Sequence, residues 1–550
     1  MHLQTSVAYK GAPTGGAPTV GRPSNRLFLL ASLLIFVLAA SLRLYHLAQR
    51  SLWLDEAIAA NVSRGTISET LTLTRGFHSA PIVDPLLLYG VERFGTGPWA
   101  VRLPSVAASL LAVLLMLCFA NLPSIGSRAA RLSALMLAVS SPQIRYAQEV
   151  REYSLGVLYA CALLYVYLSY ISHWEERKWQ NLLYGTLFFA PFIQYGLVLF
   201  SAGILSAILV LDFFGRERGR RIAHLIIASA CLGLGGLSSF WLTLRYQWEG
   251  SASYLKEYYW ISGSNLLRFI FSNTHHLLTS LLLPGLAAAL ISLFAVLIHL
   301  AGAIRERTVP PLALLALTSC GTVLACALLR VYPYGPVRQC LFLAPVMCLF
   351  ASVCLVQFVD RFPAHSRKLV FAGMAAVVVV SGALQLRLLK PYAEVEDIQQ
   401  ILQALRSHRQ PGDSVYVYAG AVPAVDYYMP QRDPHFMYGD FLLMPQQRYV
   451  SEMLGGLEPG ANRFWIVFSH VHGDDDQAIL KVLNSGWRVD PVITAKGCAL
   501  YLASRRLATA GPANASQSSS AEAAGPAIAA DHTHDSFWTW NIRNARPSIR

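Results

Sequence analysis

Runs of about twenty nearly uncharged residues recur between Leu27 and Leu388, each long enough to cross a bilayer. Lipid leaves such a run few conformations. With no water to satisfy backbone N–H and C=O groups, it must close its hydrogen bonds within itself as a helix. Eleven runs are read: Leu27–Leu47, Leu103–Leu122, Ala129–Tyr146, Tyr153–Ser172, Leu182–Ile193, Leu197–Phe213, Ile222–Leu244, Leu277–Ala301, Leu312–Leu329, Cys340–Val359 and Leu369–Leu388. The fifth is short and reads either as a half-span or as a tilted helix fused with the sixth. The first is too long and wrongly flanked for a cleaved signal peptide, so it reads as a retained span. A soluble chain of this length would carry more charge than 14% and less apolar content than 54%, and the mean hydropathy is +0.43. The expected fold is mainly α, a polytopic helical membrane protein.

Basic residues assign the sides. Lys10, Arg22 and Arg26 precede the first span. Arg128 and Arg131, Arg177 and Lys178, Arg216 to Arg221, Arg305 and Arg307, and Arg361 to Lys368 fall on every second connection. These connections are expected to face the cytoplasm of a cell inner (plasma) membrane, with the N-terminus. The net charge of +13 is thus partly a topology signal and requires no nucleic-acid partner. An odd span count places everything after Leu388 outside, together with the loop holding Asp55, the Gln143–Glu152 turn, the Tyr246–Thr274 loop and the Arg330–Arg338 turn. Of nine cysteines only Cys498 lies beyond the spans, and neither a metal-ligand spacing nor a disulfide framework appears.

The domain reading follows: a disordered cytoplasmic N-terminus (1–26), a transmembrane domain (27–390), an outward-facing α/β domain (391–505) and a disordered tail (506–550). In the third of these, Glu394–Arg406 has helical apolar spacing, Pro411-Gly412-Asp413 is a turn, and Ser414–Tyr418 is β-rich. Phe464–Phe468 and Cys498–Leu502 read as further strands and Gln477–Asn484 as a helix. The tail is rich in Ala, Ser and Gly, and its His532 and His534 are too sparse for a metal site.

Chemistry-bearing residues collect on the expected outer side. Asp55 and Glu56 follow the first span in Ser51-Leu52-Trp53-Leu54-Asp55-Glu56, at the head of a polar, aromatic loop. One carboxylate can take the proton of an acceptor hydroxyl as that oxygen attacks a sugar's anomeric carbon. The pair can equally be helix-start acids or salt-bridge partners of Arg43 or Arg50. His78 and Asp84 are candidate substrate ligands or solvated loop residues. Arg102, in Arg102-Leu103-Pro104-Ser105, either holds a phosphate or reaches lipid headgroups. Arg145-Tyr146-Ala147-Gln148-Glu149-Val150-Arg151-Glu152-Tyr153 carries four charges and two tyrosines that are costly beside lipid, which argues for a polar cavity. Within it Glu149 is a further catalytic candidate and Tyr146, Arg151 and Tyr153 are substrate-binding candidates; the alternative is an interfacial belt of self-paired charges. The aromatic stretch Tyr254–Trp260 suits a sugar, a polyprenyl chain or the interface itself.

As an ordered set, Arg43-Leu44-Tyr45, Ser51 to Glu56, Arg102 to Ser105 and Tyr146 to Tyr153 resemble the GT-C class of integral-membrane glycosyltransferases. The nearer branch holds protein O-mannosyltransferases and the bacterial aminoarabinose and galacturonic acid transferases acting on lipopolysaccharide. Tyr332-Pro333-Tyr334-Gly335-Pro336-Val337-Arg338 is a further match and adds Tyr334 and Arg338 to the substrate-binding candidates. Where such enzymes carry a Pro-Pro stretch in the first loop, this chain has Val83-Asp84-Pro85-Leu86.

The resemblance implies a hexosyl- or pentosyltransferase of cell-envelope glycan, with a polyprenyl-phosphate sugar as donor and Asp55 as base. A lipid, glycan or protein would be the acceptor. Departure of polyprenyl phosphate develops negative charge that a guanidinium can meet, and Arg151 and Arg338 are the candidates. Direct attack would invert the anomeric centre. A divalent cation is less necessary than for nucleotide-sugar donors, though Asp55 and Glu56 do not exclude one. A lipid flippase or transporter would share the span count, but ion-coupled transporters place acids or broken helices near the midplane, whereas charge here collects at span ends. A non-catalytic scaffold of glycan assembly is the remaining alternative.

Overall fold

The apolar runs are helical in the structure, a computed structural model that describes residues 25–95, 97–214, 218–247, 255–261, 263–281, 310–389, 395–431, 433–439, 446–457 and 459–506. The expected disordered termini and most of the eighth run, Leu277–Ala301, lie outside the described residues. Contacts divide the chain into two units at Gln49/Arg50, Asn61/Val62 and Ala393/Glu394, so that residues 50–61 pack with the C-terminal unit.

Among its described residues the first unit is a helical membrane module without strands. Its helices begin with α1 (Asn25–Leu44), α2 (Leu54–Ser63, shared across the division), α3 (Ile67–Phe77), α4 (Val83–Glu92), α5 (Pro98–Cys118) and α6 (Gly126–Val139). They continue with α7 (Ser141–Ala147), α8 (Tyr153–Ser172), α9 (Arg177–Ile193), α10 (Leu197–Phe214), α11 (Arg218–Ser239), α12 (Arg245–Gln247) and α13 (Leu266–Leu281). The last three are α14 (Pro311–Leu328), α15 (Ala344–Val359) and α16 (Ala364–Leu389). Among the described residues six helical stretches are long and apolar enough to cross a membrane, and two shorter ones, Phe28–Leu44 and Leu197–Phe213, are apolar.

Two expectations are corrected. The third run, Ala129–Tyr146, is not one helix. It breaks at Ser140 (ψ 120°), because Pro142 in the first turn of α7 offers no N–H to continue α6. The stretch expected as a loop after Asp55 is three short helices. Thr66 and Glu69 start α3 with a capping box, the Thr66 N–H donating to Glu69 Oε2 at 2.7 Å.

Small residues let the helices approach. A Cβ on Gly203 of α10 would stand 2.7 Å from Ser319 Cα on α14, and one on Gly235 of α11 would stand 2.0 Å from the Phe188 carbonyl on α9. Close backbone approach replaces the hydrophobic drive that lipid cannot supply.

The second unit carries a five-stranded sheet in the order β2-β1-β3-β5-β4, from β1 (Ser414–Val417), β2 (Phe436–Tyr438), β3 (Arg463–Ser469), β4 (Trp487–Ala495) and β5 (Cys498–Arg505). β1 runs parallel to β2 and β3, while β5 is antiparallel to β3 and to β4. Helices α17 (Ile398–His408), α18 (Val422–Tyr428), α19 (Gln446–Gly455) and α20 (Asp475–Leu483) complete it. α17 buries Ile398, Ile401, Leu402 and Leu405, one apolar face at helical spacing. β2 and β4 were not expected from the sequence. β4 holds Pro491 beside a register shift on an edge strand, where a missing N–H is tolerated.

Gly203→Val should overpack the α10–α14 contact by about 1–3 kcal/mol. A lowered thermal midpoint in detergent would show it, and an unchanged midpoint would mean that the contact yields without strain.

Candidate active site

In the membrane unit the helix ends leave carbonyls that side chains must satisfy. A carbonyl at Ala138 would ordinarily accept from the N–H four residues on, which is Pro142 and has none. Arg43, fully buried, supplies the missing donors: Nη1 reaches the Ala138 carbonyl at 2.9 Å and Nη2 the Leu137 carbonyl at 3.0 Å, while Nε donates to Ser109 Oγ at 2.7 Å. α1 ends before His46, whose φ of 56° leaves the helical region. There Gln148 Nε2 donates to the carbonyls of Arg43 at 2.9 Å and Tyr45 at 2.8 Å, and buried Arg102 donates to that of Leu47 at 2.8 Å. Arg102 therefore has a packing role beside the substrate role expected of it.

The next turn gathers the charges. Arg145 pairs with buried Glu149 at 3.2 Å, and Arg151 lies 3.4 Å from Glu152. The rings of Tyr146 and Tyr153 meet edge-on at 5.5 Å. The guanidiniums of Arg151 and Arg338 stand 5.8 Å and 5.5 Å from the Tyr153 ring centroid. The structure thus brings together five of the expected residues, Tyr146, Glu149, Arg151, Tyr153 and Arg338. Burial pushes Glu152 above the ordinary carboxylate range, against the pull of Arg151. Three guanidiniums, those of Arg145, Arg151 and Arg338, stand in it against the two carboxylates of Glu149 and Glu152, so basic groups outnumber acidic ones.

His78 and Asp84 also meet, Nε2 to Oδ2 at 3.2 Å, and both act electrostatically on Glu152. Gln247 holds their turn by donating to the His78 carbonyl at 2.6 Å and that of Thr74 at 2.9 Å, and it accepts from the Tyr195 hydroxyl at 2.7 Å. Gln247, Tyr195 and Glu152 escaped the sequence reading of sites. Glu152 stood inside a quoted motif, but the other two carry no local signal. Tyr334 is buried, with its hydroxyl 2.9 Å from Thr274 Oγ1. Tyr258 and Tyr259 of the expected aromatic stretch line a cavity of about 550 Å³ with Arg268, Asn273 and His276.

In the second unit, Asp55 and Glu56 occupy the first turn of α2, where the helix dipole favours acids. Glu56 is buried. The segment before them is pinned to the α/β domain. Ser51 Oγ donates to Asp397 Oδ1 at 3.0 Å and accepts from the Gln399 N–H at 3.2 Å. The Leu52 N–H donates to the Tyr428 hydroxyl at 2.8 Å, and Asn61 Nδ2 to the Pro423 carbonyl at 2.7 Å. Among the described residues no three His, Cys, Asp or Glu side chains group as metal ligands.

No protein-family model matches the sequence, and no curated protein matches it. The fold, however, is that of the GT-C glycosyltransferases. The structure is similar to that of ArnT from Cupriavidus metallidurans in the apo state, with a TM-score of 0.56 and 15% identity over 87% of this chain and 97% of that one. It is also similar to ArnT from Cupriavidus metallidurans bound to undecaprenyl phosphate, with a TM-score of 0.52 and 14% identity over 89% of this chain and 99% of that one.

Glu92, at the end of α4, gives a pH-dependent test. Burial pushes it up to about 7, against Arg64 and Arg93. A raised carboxylate stabilises the fold fully below its unfolded value, and that contribution is lost as pH rises through the folded value. Glu92→Gln keeps the neutral shape, so it should leave the thermal midpoint unchanged near about pH 5 and raise it near about pH 8. Equal shifts at both would show that Glu92 carries no proton on folding.

Proposed function

We propose that this protein is a membrane glycosyltransferase that moves a sugar from a polyprenyl-phosphate donor to an acceptor hydroxyl at the outer face of a cell inner membrane. The observation that carries this reading is the convergence of Arg151 and Arg338 on Tyr153 within a cluster where basic groups outnumber acidic ones, in a chain with the GT-C fold. In this reading the N-terminus is cytoplasmic, eleven spans are present and the α/β domain is outside. ArnT of the same fold has been seen bound to undecaprenyl phosphate, which supports a lipid phosphate ester as the donor.

The roles follow from the chemistry. Arg151 and Arg338 bind the donor phosphodiester, and Glu149 and Glu152 hold Arg145 and Arg151 in place. Tyr146 and Tyr153 form the aromatic floor on which these guanidiniums lie. His78 and Asp84 are substrate ligands held by Gln247. Asp55 accepts the proton of the acceptor hydroxyl as its oxygen bonds to the anomeric carbon. The bond from that carbon to the phosphate oxygen breaks, its electron pair leaves with polyprenyl phosphate, and the arginines meet the second negative charge. Attack opposite the leaving group inverts the centre. A divalent cation would find carboxylates at Asp55 and Glu56, but every role named here is carried by side chains.

Purified protein given radiolabelled polyprenyl-phosphate sugars and membrane lipid extract should transfer label. Asp55→Asn should lose about 10²–10⁴-fold, the usual worth of a general base. Arg338→Ala should raise KM for the donor and lower kcat together. Full transfer by the Asp55→Asn protein would overturn the role of Asp55, and no transfer of any sugar by the wild type would return the flippase or scaffold.

A further inference from the structure

Open α/β sheets keep their working groups at the carboxyl ends of parallel strands. β3, which runs parallel to β1, ends at a cavity of about 450 Å³. The walls of this cavity come from that strand end, the start of α20, the β4–β5 hairpin and the residues Val395 and Glu396. They are closely joined. The Asp397 N–H donates to the Lys496 carbonyl at 2.9 Å, and a Cβ on Gly497 (φ 66°) would stand 2.6 Å from the Val395 carbonyl. On the other side of the strand end, a Cβ on Gly420, just past β1, would stand 2.7 Å from the Ser469 carbonyl.

A chain of polar groups leads into the cavity. His470 follows β3 with a φ of 50°, a left-handed conformation that a side chain disfavours and that tends to be kept at working sites. The turn sets its Nδ1 2.6 Å from Glu396 Oε1, and the Ser469 hydroxyl donates to Oε2 at 3.0 Å. Both oxygens of a side chain only 3% exposed are thus engaged, so the carboxylate fixes the ring. That ring lines the cavity and is 37% exposed. Its Nδ1 is taken by Glu396, and among the described residues no group hydrogen-bonds its Nε2. Asp476, in the first turn of α20, lines the same cavity, with Oδ1 accepting from the Gln477 N–H at 2.8 Å. Tyr501 lines it too, held edge-on against Phe468 at 5.9 Å.

We propose that this cavity of the α/β domain is a carbohydrate-binding site that takes a neutral sugar. The groups on its walls select that ligand. Among the described residues two carboxylates line it and no lysine or arginine does, which disfavours phosphate or another anion. Among the same residues no three His, Cys, Asp or Glu side chains group as metal ligands. A hydroxyl suits the polar groups that are present. It donates to a neutral imidazole nitrogen or accepts from a protonated one, and it donates to the Asp476 carboxylate. A sugar ring also carries an apolar face, which matches the aromatic surface of Tyr501 and Phe468 beside those groups. The volume lies within the range of small-ligand sites, about 300–1,000 Å³. The assignment holds whichever residue is the base of the transfer reaction.

Saturation-transfer NMR on the full-length protein tests this, in a detergent without a sugar headgroup and with a panel of neutral mono- and disaccharides. Inorganic phosphate and ethanolamine serve as the anionic and cationic probes. At least one saccharide should bind more tightly than either of these. Asp476→Asn should weaken that saccharide about tenfold or more, the usual worth of a hydrogen bond to a charged group. His470→Gln should weaken it as well, while Tyr258→Ala, in the cavity of the membrane unit, should leave it unchanged. Should His470→Gln fail to fold, the half-buried Asp476 still decides the matter. Binding of unchanged strength in both variants of this cavity would overturn the proposal. So would the absence of saccharide binding, or binding of phosphate or ethanolamine in its place. A loss confined to Tyr258→Ala would put the sugar in the membrane unit and overturn it too.

Discussion

Every helix that ends inside an apolar environment leaves carbonyls that water cannot reach, and the membrane unit depends on how these are met. Pro142 removes the N–H that the Ala138 carbonyl would have used, and the Arg43 guanidinium, fully buried in α1, replaces it. A cation at the carboxyl end of a helix also suits the dipole there. Gln148 then returns the favour to α1 by capping the carbonyls of Arg43 and Tyr45. The break between α6 and α7 is therefore fixed from both sides, and the turn that follows it is held in one place.

That turn is where the charge gathers. Gln148 faces the end of α1 while Arg145, Glu149, Arg151 and Tyr153, within a few residues of it, build the cluster with Arg338. One short motif thus carries both the cap that positions the turn and the groups that the turn presents. Substituting Gln148 would disturb the cluster without touching any of its charges.

Most of the membrane helices were legible because length and uninterrupted apolarity suffice: Tyr153–Ser172 has the same bounds in the sequence reading and in the structure. The run Ala129–Tyr146 was misjudged because its apolar content hid a proline whose effect is local. The strand Trp487–Ala495 escaped because Pro491 interrupts it, and its pairing with β5 is not written in the local sequence. The Arg145–Tyr153 cluster was legible because its members are close in sequence. Ser51 with Asp397, and His470 with Glu396, are 346 and 74 residues apart, and no spacing rule connects them.

The distance between Ser51 and Asp397 also has a consequence in time. During synthesis the segment holding Asp55 leaves the ribosome 346 residues ahead of the partner that pins it. At about 5–20 residues per second it waits some tens of seconds before that partner exists. Until then the membrane helices are already made, but Ser51 has neither Asp397 nor the Gln399 N–H to hold it. The proposed base is thus made long before it is fixed in place, and a chain cut before the α/β domain would lack the partners that hold Ser51.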